Sequence, residues 1–378
     1  MSFNRLLTAL RQRVWLSRHA VIVTVSVIAA CDAVPDPAQP AVGVALDSVF
    51  DTTVVALEES ARDSIAVPGI FQERAEGGFL LSDGQLPRVR SYDAQGRLEA
   101  AFGRFGAGPF EFQSIDGLAE TASGRVAVVD GRQARLTWLT GDLRPDTTKR
   151  LPGVPSRVKT LDDDLLLEMR LASESGGDDP RSRFYRRPLM LHRLAEDELT
   201  WSSFMWPFLP AERPYWNSIA RLSFDLAGDS IYMAFSLRYP VAILNTAGDS
   251  IGEIGVPPAA FELVPVFESG AFSPAGFATQ VSDLLGGRTT ISHLAVVGSR
   301  LVVVHGSFGY PKSGGPFGAY HSSLDIYDRH TGRKLYEDVP LPENSRVLGG
   351  GRHLYLLADT RFPPWRIARL SFRRENPD

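Results

Sequence analysis

Three histidines in the last third of the chain could act together as metal ligands. His293 and His305 flank a turn over residues 298–300, so a hairpin there would bring the two imidazoles roughly opposite each other. His321 stands at the end of a long irregular stretch that we expect on the same face of the fold as His305. Three imidazoles can bind zinc or a similar ion and leave one coordination position open for catalysis. The alternative is that each histidine packs or hydrogen-bonds on its own, because their spacing matches no established ligand motif.

Acidic residues close several apolar runs. Asp83, Asp130 and Asp359 each stand next to a predicted turn. An aspartate in that position accepts a hydrogen bond from the backbone two residues further on. Because the acid recurs with the turn, we interpret Asp83 and Asp130 as structural. We predict no catalytic residue and no resident cofactor, while a divalent metal, and with it an enzymatic function, stays open as an alternative.

The N-terminal segment predicts export. Residues 1–30 contain four arginines and no acid, and their apolar run at 20–30 is shorter than the roughly 20 residues that a membrane span needs. Ala29 and Ala30 before Cys31 resemble the end of a bacterial lipoprotein signal peptide. This resemblance implies cleavage before Cys31 and lipidation of that cysteine. The alternative is an ordinary secretory signal in which the cysteine stands by chance.

These features divide the chain into three predicted parts. Residues 1–30 form the signal peptide, residues 31–46 the lipidated cysteine with a Pro/Ala-rich tether, and residues 47–378 the folded domain. Cys31 is the only cysteine, so no intrachain disulfide and no cysteine-based zinc site can form. We therefore expect an exported protein of the bacterial cell envelope, whose lipid anchor makes the membrane its first partner.

The charge of the chain argues against nucleic acid as a partner. The whole sequence has 40 basic and 44 acidic residues, a net charge of −4. Removal of residues 1–30 takes four arginines and leaves 36 basic residues against 44 acidic ones, a net charge of −8. No basic tract remains that could follow a phosphate backbone.

The elements that must position these residues are short strands in a repeated pattern. An apolar run, a polar turn and a second apolar run occur at 79–92 and again at 126–139. Four weaker copies begin near Leu165, Ile231, Leu301 and Leu354. Glycine- and aspartate-rich turns between the runs provide the positive φ angles of tight hairpins. The repeat predicts an all-β fold, a six-bladed β-propeller with four-stranded blades.

The clearest copies also resemble a known repeat. Residues 103–112 read GRFGAGPFEF and are followed by a strand at 115–119 and a strand at 126–130 that ends in aspartate. This order resembles the NHL repeat and its bacterial six-bladed relatives, which implies a six-bladed propeller but no particular reaction. In later copies the aspartate position is occupied by Met169, Ser236 and His305.

The last copy is one strand short. After the apolar run at 366–372, too few residues follow for a fourth strand, whereas residues 41–57 are rich in valine and precede the first copy. We predict that this N-terminal segment supplies the outer strand of the last blade and closes the ring, which leaves no inner edge unpaired.

Long irregular stretches mark one face of the predicted propeller. Strand parity places four of them on the same face, namely 172–186, 201–217, 256–288 and 306–321. They are rich in aromatic residues, which disordered segments lack. Loops on a rigid scaffold commonly carry binding residues. The candidates for binding are Trp201, Trp206, Tyr215, Trp216, Arg238, Tyr310 and Tyr320. The alternative is that these aromatic side chains only seal the loops onto the ring.

Two functions follow from this surface. The first is a lipid-anchored binding or scaffolding module that engages a peptide, a glycan or a protein. The second is a metal-dependent envelope lactonase or lyase, as found on related six-bladed propellers. The second would require at least three of His293, His305, His321, Glu168 and Asp359 to converge on one point. We favour binding, because no ligand motif is present.

Overall fold

The computed structural model has the six-bladed β-propeller architecture that the repeat predicts. The residues that it describes are 40–60, 63–171, 190–195, 198–203, 221–258, 261, 288–307, 322–359 and 363–373. Within these residues, six sheets contain all the strands, and a single four-residue helix is present. None of the helical structure described is long and apolar enough to cross a membrane.

The first half of the chain contributes three N-terminal elements and three complete blades. The N-terminal elements are β1 (Ala41–Val42), α1 (Leu46–Val49) and β2 (Phe50–Ala56). Blade 1 consists of β3 (Pro68–Glu73), β4 (Phe79–Asp83), β5 (Val89–Tyr92) and β6 (Leu98–Phe102). Blade 2 consists of β7 (Gly117–Glu120), β8 (Val126–Asp130), β9 (Arg135–Leu139) and β10 (Pro145–Arg150). Blade 3 consists of β11 (Gly153–Leu161), β12 (Asp164–Leu171), β13 (Met190–Ala195) and β14 (Glu198–Ser203).

The second half of the chain completes the ring. Blade 4 consists of β15 (Leu222–Ala227), β16 (Ser230–Phe235), β17 (Val241–Asn245) and β18 (Ser250–Ile254). Blade 5 consists of β19 (Thr289–Val297), β20 (Arg300–Ser307), β21 (Ser322–Asp328) and β22 (Lys334–Pro340). Blade 6 receives β23 (Arg346–Gly349), β24 (Leu354–Leu357) and β25 (Arg366–Phe372) from this half. The first strand of each blade lies innermost, and neighbouring strands within a blade are antiparallel.

The N-terminal segment supplies the missing strand, as predicted. β2 pairs antiparallel with β25 along its whole length, from Phe50 opposite Phe372 to Ala56 opposite Arg366. The six inner strands contact one another in a closed cycle, and β23 of blade 6 meets β3 of blade 1. The ring is therefore closed by joining the two ends of the chain within one sheet.

A second N-terminal strand was not predicted. β1 adds to the outer edge of blade 5 in parallel with β22, where Ala41 lies opposite Tyr336 and Val42 opposite Glu337. The residues of β1 fall within the segment whose sequence reads as the end of a tether. A strand of two residues is too short to show an alternating sequence pattern, so its pairing could not be predicted. The outer strand of blade 5 provides the edge with which it pairs.

Apolar runs without alternation form strands that are buried on both faces. In β8, Val126 and Val128 pack in a cluster with blade 1, while Ala127 and Val129 pack in a cluster with blade 3. All four side chains are fully buried. A strand between two neighbouring blades has no solvent-facing side, and an apolar residue is therefore favourable at every position.

The strand ends fall on two faces of the ring. We call the insert face the one at which second strands connect to third strands and outer strands connect to the next blade. The predicted long stretches follow β12, β14, β18 and β20, whose ends all lie on this face. One boundary differs from the prediction, since β14 continues to Ser203 and Trp201 belongs to a strand rather than to a loop.

Candidate functional site

Cationic side chains gather in the central channel. His293 lies on the inner strand of blade 5. The positive charges of Arg157 and Lys159 from blade 3, and of Arg346 from blade 6, influence the pKa of its imidazole. Blade 4 stands between blades 3 and 5, and Arg157 and Lys159 reach its inner strand, where they contact Ser223 and Asp225. Although His293 keeps part of its surface open to the channel, desolvation lowers its pKa well below the ordinary value, and the three cations act in the same direction.

Glu168 is a buried carboxyl beside this cationic group. It lies on β12, is 3% exposed, and its Oε2 is 3.5 Å from Nε of Arg157. That oxygen accepts no hydrogen bond from the described residues. Burial raises the pKa of Glu168, and this effect outweighs the opposite influence of Arg157 and of Arg221. Burial thus favours the protonated form of this carboxyl more than that of an exposed glutamate.

Polar contacts tie the channel walls of blades 3, 4 and 5 together. Arg157 Nη1 donates to Ser223 Oγ at 3.0 Å, and Ser223 Oγ accepts the backbone N–H of Leu294 at 2.9 Å. Lys159 Nζ lies 3.0 Å from Asp225 Oδ1, while the other oxygen of Asp225 accepts the backbone N–H of Val296 at 2.7 Å. The positions of the channel cations are therefore fixed by neighbouring blades.

A second polar group lies between blades 4 and 5, close to the insert face. We call it the blade 4/5 cluster and define it as Tyr239, His305, Asp325, Tyr327, Lys334 and Asp338. His305 Nε2 is 3.1 Å from Asp325 Oδ1 and 3.5 Å from Asp338 Oδ1. Lys334 Nζ is 3.0 Å from the other oxygen of Asp325. Among the described residues, this is the group of imidazole and carboxylate side chains whose ligand atoms converge closely enough to hold a metal ion.

The blade 4/5 cluster is buried and electrostatically coupled. Burial raises the pKa of Asp325, but the hydrogen bond and charge of His305 and the charge of Lys334 outweigh it and leave the pKa below the ordinary value. Burial raises the pKa of Tyr239 and of Tyr327, and the Asp325 carboxylate adds to both shifts. Both phenols therefore stay protonated, and the hydroxyl of Tyr239 can donate to Asp325.

The start of the long connection from blade 4 to blade 5 covers this cluster. The ring of Phe261 stacks edge-on against Tyr239 with centroids 5.0 Å apart, and Phe261 is 8% exposed. The hydroxyl of Tyr327 donates to the carbonyl of Val256 at 3.1 Å. The connection is thus anchored to the site through one apolar and one polar contact.

The predicted histidines do not come together as the hairpin suggests. A register shift between Ile291 and His293 places Ile291 opposite His305, and His293 opposite Val304. Adjacent side chains of a strand point to opposite faces, so His293 shares the face of Val304 rather than that of His305. His321 lies outside the described residues. Of the ligand set that the enzymatic alternative requires, only His305 belongs to the described converging group.

Asp83 and Asp130 have the structural role that the repeat indicates. Asp83 Oδ1 accepts the backbone N–H of Gln85, two residues on, at 2.9 Å, and its other oxygen accepts that of Ala66 at 2.8 Å. Asp130 accepts the backbone N–H of Gln133, three residues on rather than two, and that of Gln113. Each aspartate therefore fixes both its own turn and the chain that enters the blade.

The predicted binding residues are only partly described. Arg238 lies in the connection from β16 to β17, on the insert face, and its backbone N–H donates to Phe235 at 3.1 Å. Trp201 is in β14. The remaining candidates, like the lipidation site Cys31, lie outside the described residues; they are Trp206, Tyr215, Trp216, Tyr310 and Tyr320.

The position of His305 in the repeat was a signal for the blade 4/5 cluster. In blade 1 the second strand provides the acid, Asp83, and the third strand provides the cation, Arg90. In blade 5 the same two positions hold His305 and Asp325, so the acid has moved to the third strand. Sequence reasoning recorded the histidine as a departure and missed its partner. Asp338 carried no such signal, because it stands in a local bulge of β22.

A cavity of about 200 Å³ opens on the other face, between blades 6 and 1. Its central acid is already saturated, since Tyr355 Oη and Arg352 Nε donate to Glu73 Oε1 at 2.8 and 2.9 Å. The acid of this cavity is therefore occupied by its own neighbours, and we place the candidate site at the insert face.

Comparison with known proteins reveals the fold but no family. A scan of protein-family models and a search of curated proteins find no match. A Bacteroides fragilis protein that is predicted to be exported is 13% identical, with a TM-score of 0.58 over 89% of this chain and 98% of its own. A DUF4221 family member from Bacteroides vulgatus is 11% identical, with a TM-score of 0.60 over 86% of this chain and 97% of its own.

These two similarities agree with the six-bladed ring. A streptogramin B lyase is 10% identical, with a TM-score of 0.45 over 87% of this chain and all of its own. That likeness is too low to support an argument about function. Similarities at identities of this size show the fold alone.

Proposed function

We propose that this protein is an exported, lipid-anchored envelope protein that binds a peptide, a glycan or a protein ligand on its insert face. One observation carries the proposal: the longest connections, those that follow β6, β12, β14, β18 and β20, all join strand ends on that face. Long connections in a compact domain are commonly functional, and a propeller holds them on a rigid ring.

The channel suggests the chemistry of the ligand. The charges of Arg157, Lys159 and Arg346 act on His293 of the inner ring, and Arg221 is exposed where the chain enters blade 4. Arginine recognises carboxylate and phosphate groups through paired hydrogen bonds. A ligand with acidic groups would match these cations, while the aromatic residues of the connections would contact its apolar parts.

Variants of the insert face are expected to lose ligand binding. The mature protein, immobilised on beads, would be incubated with solubilised envelope material and with purified peptidoglycan. Replacing Trp206 and Tyr310 by alanine, or Arg238 by alanine, should reduce the retained ligand at least tenfold, because each change removes contact area or charge from the face. Retained material would be quantified by mass spectrometry.

The matched controls are Arg97→Ala and Arg144→Ala. Both arginines are exposed, pair with an aspartate and lie on hairpins of the opposite face. They should bind ligand as the unchanged protein does. Loss of binding in these controls alone would contradict the assignment of the insert face.

Lipidation of Cys31 is expected in the mature protein. The small residues before Cys31, and its standing as the only cysteine, support this proposal. Mass spectrometry of protein isolated from bacterial membranes should find a diacylglyceryl-modified N-terminal cysteine, and Cys31→Ser should release the protein from the membrane fraction. A chain that begins elsewhere and carries no lipid would contradict it.

A further inference from the structure

We infer that the blade 4/5 cluster is a zinc-type metal site, in which His305 Nε2, Asp325 Oδ1 and Asp338 Oδ1 are the ligands. The site is separate from the proposed binding of a ligand on the insert face, and it differs from the three-histidine site that the sequence suggests. Two carboxylates and one imidazole are a ligand set that zinc accepts, and a fourth position would remain for water or substrate.

The distances between ligand atoms fit a small transition ion. Zinc binds nitrogen and oxygen at about 2.0–2.2 Å, so two ligands of a tetrahedral site stand roughly 3.3 Å apart. His305 Nε2 lies 3.1 Å from the Asp325 oxygen and 3.5 Å from the Asp338 oxygen. All three ligand atoms are within 4.8 Å of one another.

The charge of the surroundings favours a divalent cation. Three carboxylates, those of Asp325, Glu337 and Asp338, face a single ammonium group, that of Lys334. Because an imidazole that binds a metal is neutral, two negative charges then remain uncompensated among these groups. Lys334 binds Oδ2 of Asp325 and leaves Oδ1 directed at the imidazole. One divalent ion would neutralise the cluster, which matters because buried charges are costly without partners.

The fold positions the three ligands from three adjacent strands. His305 is on β20, Asp325 on β21 and Asp338 on β22. A bulge in β22 gives Asp338 a φ of 54°, an unusual conformation for a residue other than glycine. The bulge breaks the alternation of side-chain faces along β22 at Asp338. The backbone N–H of Asp338 also donates to Asp325 Oδ1 at 3.1 Å.

The site has an entry path and a closed end. The side chain of Asp338 is 43% exposed, whereas those of His305 and Asp325 are 4% and 0% exposed. Tyr239 and Tyr327 lie behind Asp325, with their hydroxyls 3.5 and 3.4 Å from its Oδ2. An ion would therefore enter past Asp338 and be held against a hydrogen-bonded second layer, as metal ligands require.

Titration calorimetry of the metal-free mature protein with Zn²⁺ tests the inference, with parallel titrations of Mg²⁺ and Ca²⁺. We expect one Zn²⁺ per chain, and binding of Mg²⁺ and Ca²⁺ at least tenfold weaker, because imidazole suits zinc better than these oxygen-seeking ions. Asp338→Asn and His305→Gln should each weaken Zn²⁺ binding at least tenfold. Asparagine tolerates the positive φ at position 338, so the first variant should fold.

Asp146→Asn is the matched control, since Asp146 is also a partly exposed aspartate on an outer strand and pairs with Arg125. It should bind Zn²⁺ as the unchanged protein does. Circular dichroism would verify the fold of each variant. The inference is overturned if the unchanged protein binds no Zn²⁺, or if folded Asp338→Asn and His305→Gln bind it with unchanged affinity.

Discussion

Replacing Arg90 by alanine is expected to lower the free energy of unfolding by about 3–5 kcal/mol. The guanidinium of Arg90 is 1% exposed and lies 3.6 Å from Oδ2 of Asp83, which is fully buried. Its Nη2 donates to the carbonyl of Ser64 at 2.6 Å. Alanine would leave a buried carboxylate without its cation and create a cavity. Urea unfolding, followed by tryptophan fluorescence, measures the change.

Arg97→Ala is the control for this prediction. Arg97 belongs to the same blade and pairs with Asp93 at 2.6 Å, but its side chain is 73% exposed. Water and salt screen such a pair, and its loss should leave the unfolding midpoint almost unchanged. If the two variants shift the unfolding midpoint equally and slightly, the buried pair does not stabilise blade 1 as argued.

Phe50→Ala is expected to cost about 3–5 kcal/mol, because it removes the main apolar anchor of the strand that closes the ring. Phe50 is 1% exposed, and its ring centroid is 4.5 Å from that of Phe372 on β25. It packs in the cluster that includes Leu354 and Leu370 of blade 6. Loss of this anchor should also free the edge of β25 and favour aggregation, which light scattering on heating would detect.

Val54→Ala separates ring closure from a general effect on β2. Val54 is on the same strand but is 55% exposed. Its truncation should change stability by no more than about 0.5 kcal/mol. If Phe50→Ala and Val54→Ala had equal midpoints of thermal unfolding, the buried face of β2 would not stabilise the fold.

The fold could be predicted where the repeat is strong. In blade 2 the apolar residues 126–129 and the turn after Asp130 mark a strand and its end, and the structure confirms both. The outer strand from the N-terminal segment was also predictable, since blade 6 lacked one strand. Both inferences rest on local pattern and on the need to pair edges, which a sequence carries directly.

Prediction failed where the pairing register of distant strands determines which side chains meet. Trp201 was expected in a connection, but pairing with Arg193 continues β14 through it. The register shift beside His293 is caused by a bulge, and no residue type in the sequence indicates that bulge. Asp325 and Asp338 meet His305 only because three strands align and a second bulge turns Asp338 inward. A shift of one residue exchanges the faces of a strand, so a site spread over three strands cannot be deduced from spacing alone.

Glu168 is a residue whose unusual position is visible in the sequence but whose surroundings are not. The matching position in other blades holds Val129, Phe235 or Val304, so an acid within the run LLLEMR departs from the repeat. Glu168 was named from the sequence only as one of the residues that would have to converge in a metal-dependent enzyme, and this departure was not used. Its burial and its contact with Arg157 depend on neighbouring strands, and only the structure reveals them.

Photo-crosslinking in living cells tests the central proposal, ligand binding on the insert face, most directly. A photoreactive amino acid would replace Arg221 or Arg238 on that face, and Arg97 or Arg144 on the opposite face. All four side chains are wholly or partly exposed. We predict crosslinked adducts in the envelope fraction from positions 221 and 238 and none from positions 97 and 144. Adducts from the opposite face alone, or equally from both faces, would contradict the proposal.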